Sequence, residues 1–189
     1  MSALTENVDR VGGRAMRESA RKWGRRLVRF VFVLVVGYWA VKTADLVWFR
    51  AFVPITFQHA NWVGAWRTNQ YGLSGRLLVR LPDPLPDNKE FKAEALVYYP
   101  IYSGWKTGQF VKMSFTGYFS PHASSSSGKS TVPSNVPVPN KGGELKFKGF
   151  AGDQIVDYVA LIDSDRSLIV GGYLSQAPYD YGSFGISSY

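Results

Sequence analysis

The sequence predicts a mainly β fold: an N-terminal basic segment, a single transmembrane helix, and then a small antiparallel barrel of about eight strands. Three observations predict it. An uninterrupted apolar run extends from Phe30 to Val41 and continues, with Lys42 and Asp45 inside it, to Phe49. From Phe57 onward the hydrophobic period is two, and no helical period returns. Aromatics make up 15% of the 189 residues and glycines number 19, a balance that suits a compact β domain better than a helical bundle.

Composition also narrows the chemistry. The chain has no cysteine, so disulfides, Cys-ligated zinc and a thiol nucleophile are excluded. His59 and His122 are the two histidines and lie far apart in sequence, so no histidine metal cluster is expected. The formal charge is +8, but residues 1–29 hold eight Arg/Lys against Glu6, Asp9 and Glu18, a net of +5. The basic character therefore belongs largely to the tail, and a surface for DNA or RNA is not implied.

Residues 1–26 form the basic juxtamembrane segment. Arg10, Arg14, Arg17, Arg21 and Arg25 recur at spacings of four and three, which puts them on one face of a helix. Val11, Ala15, Met16, Ala20 and Trp23 take up much of the rest. One reading is an amphipathic segment lying on an anionic lipid surface, at about 1 kcal/mol per nearby basic residue. The other is a solvated tail whose arginines only set topology. Gly12-Gly13 and Gly24 weaken the helix in either case.

Residues 27–49 are the expected transmembrane helix. At 1.5 Å per residue, Leu27 to Phe49 covers roughly 33 Å, enough for a hydrocarbon core of about 30 Å. A cleaved signal peptide fits poorly, because cleavage after Ala44 or Ala40 puts Lys42 or Tyr38 where a small residue belongs. A buried core helix fits poorly with the arginine-rich flank. Lys42 and Asp45 are one turn apart and can pair, and Lys42 can snorkel toward headgroups. Tyr38, Trp39, Trp48, Phe49 and Phe52 suit the membrane interface. Residues 50–56, with Arg50 and Pro54, read as an interfacial linker. The basic flank puts the N-terminus in the cytoplasm and the barrel in the periplasm, at a bacterial inner membrane crossed once.

Residues 57–189 are the barrel. Strands are expected over 62–68, 76–81, 91–99, 110–119, 144–150, 155–162, 168–174 and 182–187. Eight antiparallel strands close into a small barrel filled by side chains or holding one small ligand. The segment 120–143, with Ser124–Ser127, Pro133, Pro137 and Pro139, lacks periodicity and is expected to be a flexible loop, or alternatively a lid.

No catalytic pattern stands out, and an enzyme is not expected. There is no G-x-S-x-G elbow, neither histidine has a motif context, and Gly149 to Gly152 is not a phosphate loop. Glu90 and Glu94 share one side of a strand and are expected to face solvent. Asp163-x-Asp165, with Asp153 and Asp157, lacks the other ligands of a calcium loop and reads as a hairpin turn. No metal and no cofactor are expected. The candidate binding residues are aromatic. Tyr98, Tyr99, Tyr102 and Trp105 cluster around the third connection, and Tyr173, Tyr179, Tyr181 and Phe184 around the last. Exposed beside loops they form a recognition rim, and buried they are barrel core; one register slip exchanges the two.

Two resemblances bear on function. Trp62-Val63-Gly64-Ala65-Trp66 carries a G-x-W at the start of the first strand and resembles the lipocalin and wider calycin signature. That resemblance implies a calycin-like barrel in which Trp62, Gly64 and Trp66 plug the closed end. Asp157-Tyr158 loosely resembles the second lipocalin motif. The order of a membrane segment followed by a minimal β-barrel is similar to the transmembrane β-barrel effectors of bacterial cyclic-nucleotide anti-phage systems. Gly171-Gly172-Tyr173-Leu174-Ser175, followed by Gly182, is similar to their last hairpin. This second resemblance implies a barrel that senses a cyclic nucleotide and clusters membrane segments into a homo-oligomer that disrupts the membrane. Those effectors have two crossings and a cytosolic barrel, whereas this sequence predicts one crossing. Arg67, Arg76 and Arg80 are the nearest candidates for phosphate contacts. The expectation is a membrane-anchored binding module whose partners are the lipid bilayer and a small ligand or envelope protein, with the nucleotide-sensing effector as the alternative.

Overall fold

The computed structural model describes residues 3–104, 107–121, 141–151, 154–176 and 179–188. The chain divides into two compact units, Met1–Leu46 and Val47–Tyr189.

Helix α1 (Ala3–Phe52) is continuous over 50 residues. Gly12, Gly13 and Gly24 do not interrupt it, although they were expected to weaken it. A glycine costs only about 1 kcal/mol in a helix interior, which a long run of hydrogen-bonded turns absorbs. Among the described residues, Trp23–Phe52 is the one helix long and apolar enough to cross a membrane. Only 6% of its apolar window is buried, so it is not a core helix. Phe32, Leu34 and Trp39 stand more than half exposed. The side chains of Arg10, Arg14, Arg17 and Arg21 lie outside the described residues, and Arg25 is exposed. The Lys42 ammonium lies 5.6 Å from the Tyr38 ring centroid, one turn away.

The second unit is a closed antiparallel barrel of eight strands in sequence order. The strands are β1 (Trp62–Thr68), β2 (Ser74–Arg80), β3 (Glu90–Tyr98), β4 (Phe110–Pro121), β5 (Lys141–Ala151), β6 (Gln154–Asp163), β7 (Leu168–Gln176) and β8 (Tyr179–Ser188). β8 pairs back onto β1, from Trp62 opposite Ser188 to Thr68 opposite Gly182. Any Cβ at Gly64 would collide with the Gly185 carbonyl, so glycine is required where β1 and β8 close the barrel.

Alternation divides the strands β1 to β4 between an inner and an outer core. Inward-facing Trp62, Leu81, Phe91, Phe119, Leu145, Ile162 and Ile169 fill one end of the barrel, and the proline-rich connection after β2 adds Leu85. Asn61 fixes that connection: its Nδ2 donates to the Leu81 carbonyl at 2.8 Å and its Oδ1 accepts from the Leu81 N–H at 3.0 Å. The hairpin from β6 to β7 turns on Asp163, whose carboxylate accepts from the Ser167 N–H, the Ser167 hydroxyl and the Leu168 N–H at 2.7–2.9 Å. Burial pushes this carboxyl up, but those hydrogen bonds outweigh it and hold it below the ordinary value.

The second core lies on the outer face. Leu78 and Leu96 point out of the barrel yet are buried, together with Phe57 and Ala60 and against Phe49, Val53, Val63 and Phe110. Tyr98 joins them, with its ring 5.0 Å from Phe49 and 4.9 Å from Phe110. Part of the segment 50–56, expected as an interfacial linker, is helical. The helix persists to Phe52, a 3-10 turn follows at Ile55–Phe57, and Phe57 is 1% exposed. The three outward apolar side chains Leu78, Leu96 and Tyr98 need a cover, and this segment supplies it.

Candidate ligand-binding cavity

The barrel is solid at one end only. Above the packed end lies a cavity of about 520 Å³, a size common for small-molecule sites. It opens at the end that carries the β1–β2, β3–β4, β5–β6 and β7–β8 connections. Tyr71 in the β1–β2 turn both lines it and is 51% exposed, which marks the mouth.

The walls are built by strand alternation. Leu77 and Val79 come from β2, Ala93, Ala95 and Val97 from β3, Val111, Met113 and Phe115 from β4, and Phe147 from β5. The two alanines are why the space exists, since longer side chains there would fill it. The polar groups gather toward the mouth: Thr68, Tyr99, Tyr158, Tyr173, Ser175 and Asp180. Ser175 and Asp180 are directly opposite each other on β7 and β8. The Tyr173 hydroxyl donates to Asp180 Oδ2 at 3.1 Å. Asp180 Oδ1 and Ser175 Oγ are buried without a partner. The Tyr158 hydroxyl donates to the Met113 sulfur, at 3.9 Å. Tyr158 also stacks edge-on to Phe115 at 5.1 Å and lies 5.8 Å from Tyr173. Burial, and then the charge of Asp180, push the Tyr99 and Tyr173 phenols above their ordinary value. Burial, and then Tyr99, do the same to Tyr158. All three therefore stay neutral at physiological pH.

The residues singled out in sequence scatter over three environments. Tyr99 and Tyr173 line the cavity. Tyr98, expected with them, is 0% exposed and packs against Phe49 on the outer face, because neighbours on a strand face opposite sides. Tyr102, in the β3–β4 connection, and Tyr181, near the start of β8, are exposed toward the mouth end. Trp105 and the side chain of Tyr179 lie outside the described residues, as does most of the 120–143 loop. Trp62 packs in the solid end. Trp66, expected beside it as a plug, instead lines the cavity; its indole donates to the Tyr98 carbonyl at 3.3 Å and meets Tyr99 edge-on at 4.9 Å. Four residues of a strand separate the two tryptophans, so they occupy different levels of the barrel. Trp48, expected at the membrane interface, donates from its indole to the Gly108 carbonyl at 3.1 Å. Lys42 is half-buried and Asp45 buried. Arg67 is exposed, Arg76 lies over the Phe49 ring at 4.7 Å, and Arg80 pairs with Glu94 at 3.4 Å, all on the outer face. Glu94 also pairs with Lys112 at 2.6 Å.

Asp180, Ser175 and Tyr158 were not identified as site residues in the sequence. The signal was there: Asp180, Gly182, Phe184 and Ile186 keep the period of two, which puts a carboxylate on the inner face once the strand starts at Tyr179 and not at Gly182. Compared with known family models, curated proteins and solved structures, the chain matches none.

Proposed function

We propose that this chain is a membrane-anchored binding protein whose barrel takes up one small, largely apolar ligand. The observation that carries this reading is the cavity of about 520 Å³, apolar in its depth and polar only near its mouth. A mostly apolar cavity of this size has no packing purpose, since an interior is otherwise filled to crystal density. Cleared side chains at Ala93 and Ala95 mark space kept for an occupant.

The anchor part of the reading draws on the apolar segment Trp23–Phe52 and on the basic residues before it. It puts the N-terminus in the cytoplasm and the barrel in the periplasm of a bacterial inner membrane. One feature favours a mouth close to lipid: Tyr71, Tyr102, Phe150, Ile155 and Tyr181 are exposed around it, as apolar and aromatic side chains are at membrane interfaces.

A nucleotide is a poorer fit. Among the described residues no Lys, Arg or His lines the cavity, and its one charged group is a carboxylate, which repels phosphate. The test is photolabelling of the full chain in mild detergent with a diazirine-bearing long-chain alcohol. Label is expected on β3, β4 and β8, and Ala95→Phe should remove it while label on α1 persists. Label confined to α1 in the wild type would refute the cavity reading.

A further inference from the structure

Among the described residues, the polar end of the cavity holds a carboxylate and no cationic side chain. One oxygen of Asp180 is occupied by the Tyr173 hydroxyl, and the other is buried without a donor. Across the strand pair, Ser175 is 5% exposed and its hydroxyl is unpartnered as well. Taking a carboxylate oxygen out of water without a donor is unfavourable, and a positive donor is the group that reverses this most strongly. The surroundings point the same way. Tyr99 and Tyr173 lie near the carboxylate as neutral rings, with Tyr158 next to Tyr173, and aromatic faces attract cations. A metal ion does not suit the site: among the described residues no group of three His, Cys, Asp or Glu side chains gathers anywhere.

Taking the barrel to be a ligand-binding cavity, we propose that its occupant is an amphiphile bearing a protonated amine. The ammonium sits at Asp180 and Ser175, against the tyrosine rings. The apolar tail runs inward among Leu77, Val79, Ala93 and Ala95. The ammonium supplies the donors that both unpartnered oxygens lack, and the tail fills the depth of the cavity. An anionic headgroup would face the carboxylate directly, and a neutral one would leave its charge uncompensated.

The experiment compares three diazirine-bearing probes of equal chain length on the full chain in mild detergent: a primary amine, an alcohol and a carboxylate. The amine should label the inner strands at about tenfold lower concentration than the alcohol, with the carboxylate weakest. Asp180→Asn should bring amine and alcohol to within about twofold of each other while alcohol labelling persists. If amine and alcohol label the wild-type barrel equally, water alone satisfies the two oxygens; the amine assignment is then wrong and the cavity reading stands. If the carboxylate labels best, the amine assignment is likewise overturned. If none of the probes labels the inner strands, the cavity reading itself fails. The wild-type comparison decides among these outcomes even if the Asp180 variant does not fold.

Discussion

Asp163 shows how a single side chain builds a hairpin. Its carboxylate takes three hydrogen bonds from Ser167, just before the return strand, and Leu168, its first residue. Asp163→Ala should lower stability by about 2–3 kcal/mol, since bonds to a charged acceptor are among the stronger ones. The folded-state pKa is below the unfolded one, so this stabilisation is complete above about pH 4, the unfolded carboxylate value, and fades as pH falls through the folded value. Melting of wild type and Asp163→Ala at pH 7 and pH 3 checks the sign: the gap should narrow in acid. The two tryptophans offer a second comparison at this scale. Trp62→Ala should cost about 3–5 kcal/mol, as for a large aromatic in a filled core. Trp66→Ala should cost less, because one face of that indole borders empty space and already lacks partner atoms. Chemical denaturation of both variants would show the order, and equal losses would mean that the cavity is filled.

Among the elements, the segment from Phe49 to Ala60 matters most for the barrel. It covers Leu78, Leu96 and Tyr98, outward residues that would otherwise face water. Phe57→Ala should therefore cost about 3 kcal/mol or more, although the residue lies before the first strand. Deleting residues 1–56 should leave a barrel less stable than the full chain and prone to associate, through an apolar patch uncovered by the loss of Phe49 and Val53. Analytical ultracentrifugation of the 57–189 fragment measures this, and a stable monomer would show that the cover contributes little. The inner face has its own requirement. β8 must begin at Tyr179 for Asp180 to enter the cavity, and its pairing with β7 through Gln176 opposite Tyr179 sets that register.

For the molecule as a whole, the testable consequence is orientation. A reporter active only outside the cytoplasm, fused after Tyr189, should be active, given the net +5 of residues 1–29 before the apolar stretch. Activity only from a cytoplasmic reporter would reverse the proposed topology. The barrel itself is a balance of filling and omission: large side chains close one end, while alanines at Ala93 and Ala95 keep the other hollow. Ala95→Phe should fill part of that space and leave or raise the melting temperature, in contrast to the loss expected from overpacking a filled core.

The sequence by itself determined the architecture. A long apolar run and a period of two are local signals, readable because helix length and strand alternation each need only neighbouring residues. Thus β1 was legible from Trp62 to Thr68, and all eight strands were placed within a few residues. Tertiary structure alone decided which aromatic did what. Tyr98 and Tyr99 are adjacent in sequence and equally apolar. One lies under Phe49 outside the barrel and the other borders the cavity, because register and an outer cover are set by contacts between distant segments. The meeting of Ser175 and Asp180 with Tyr99 and Tyr158 is of the same kind. It exists only once β8 pairs with β1 and the sheet closes, since closure brings strands far apart in sequence around one interior.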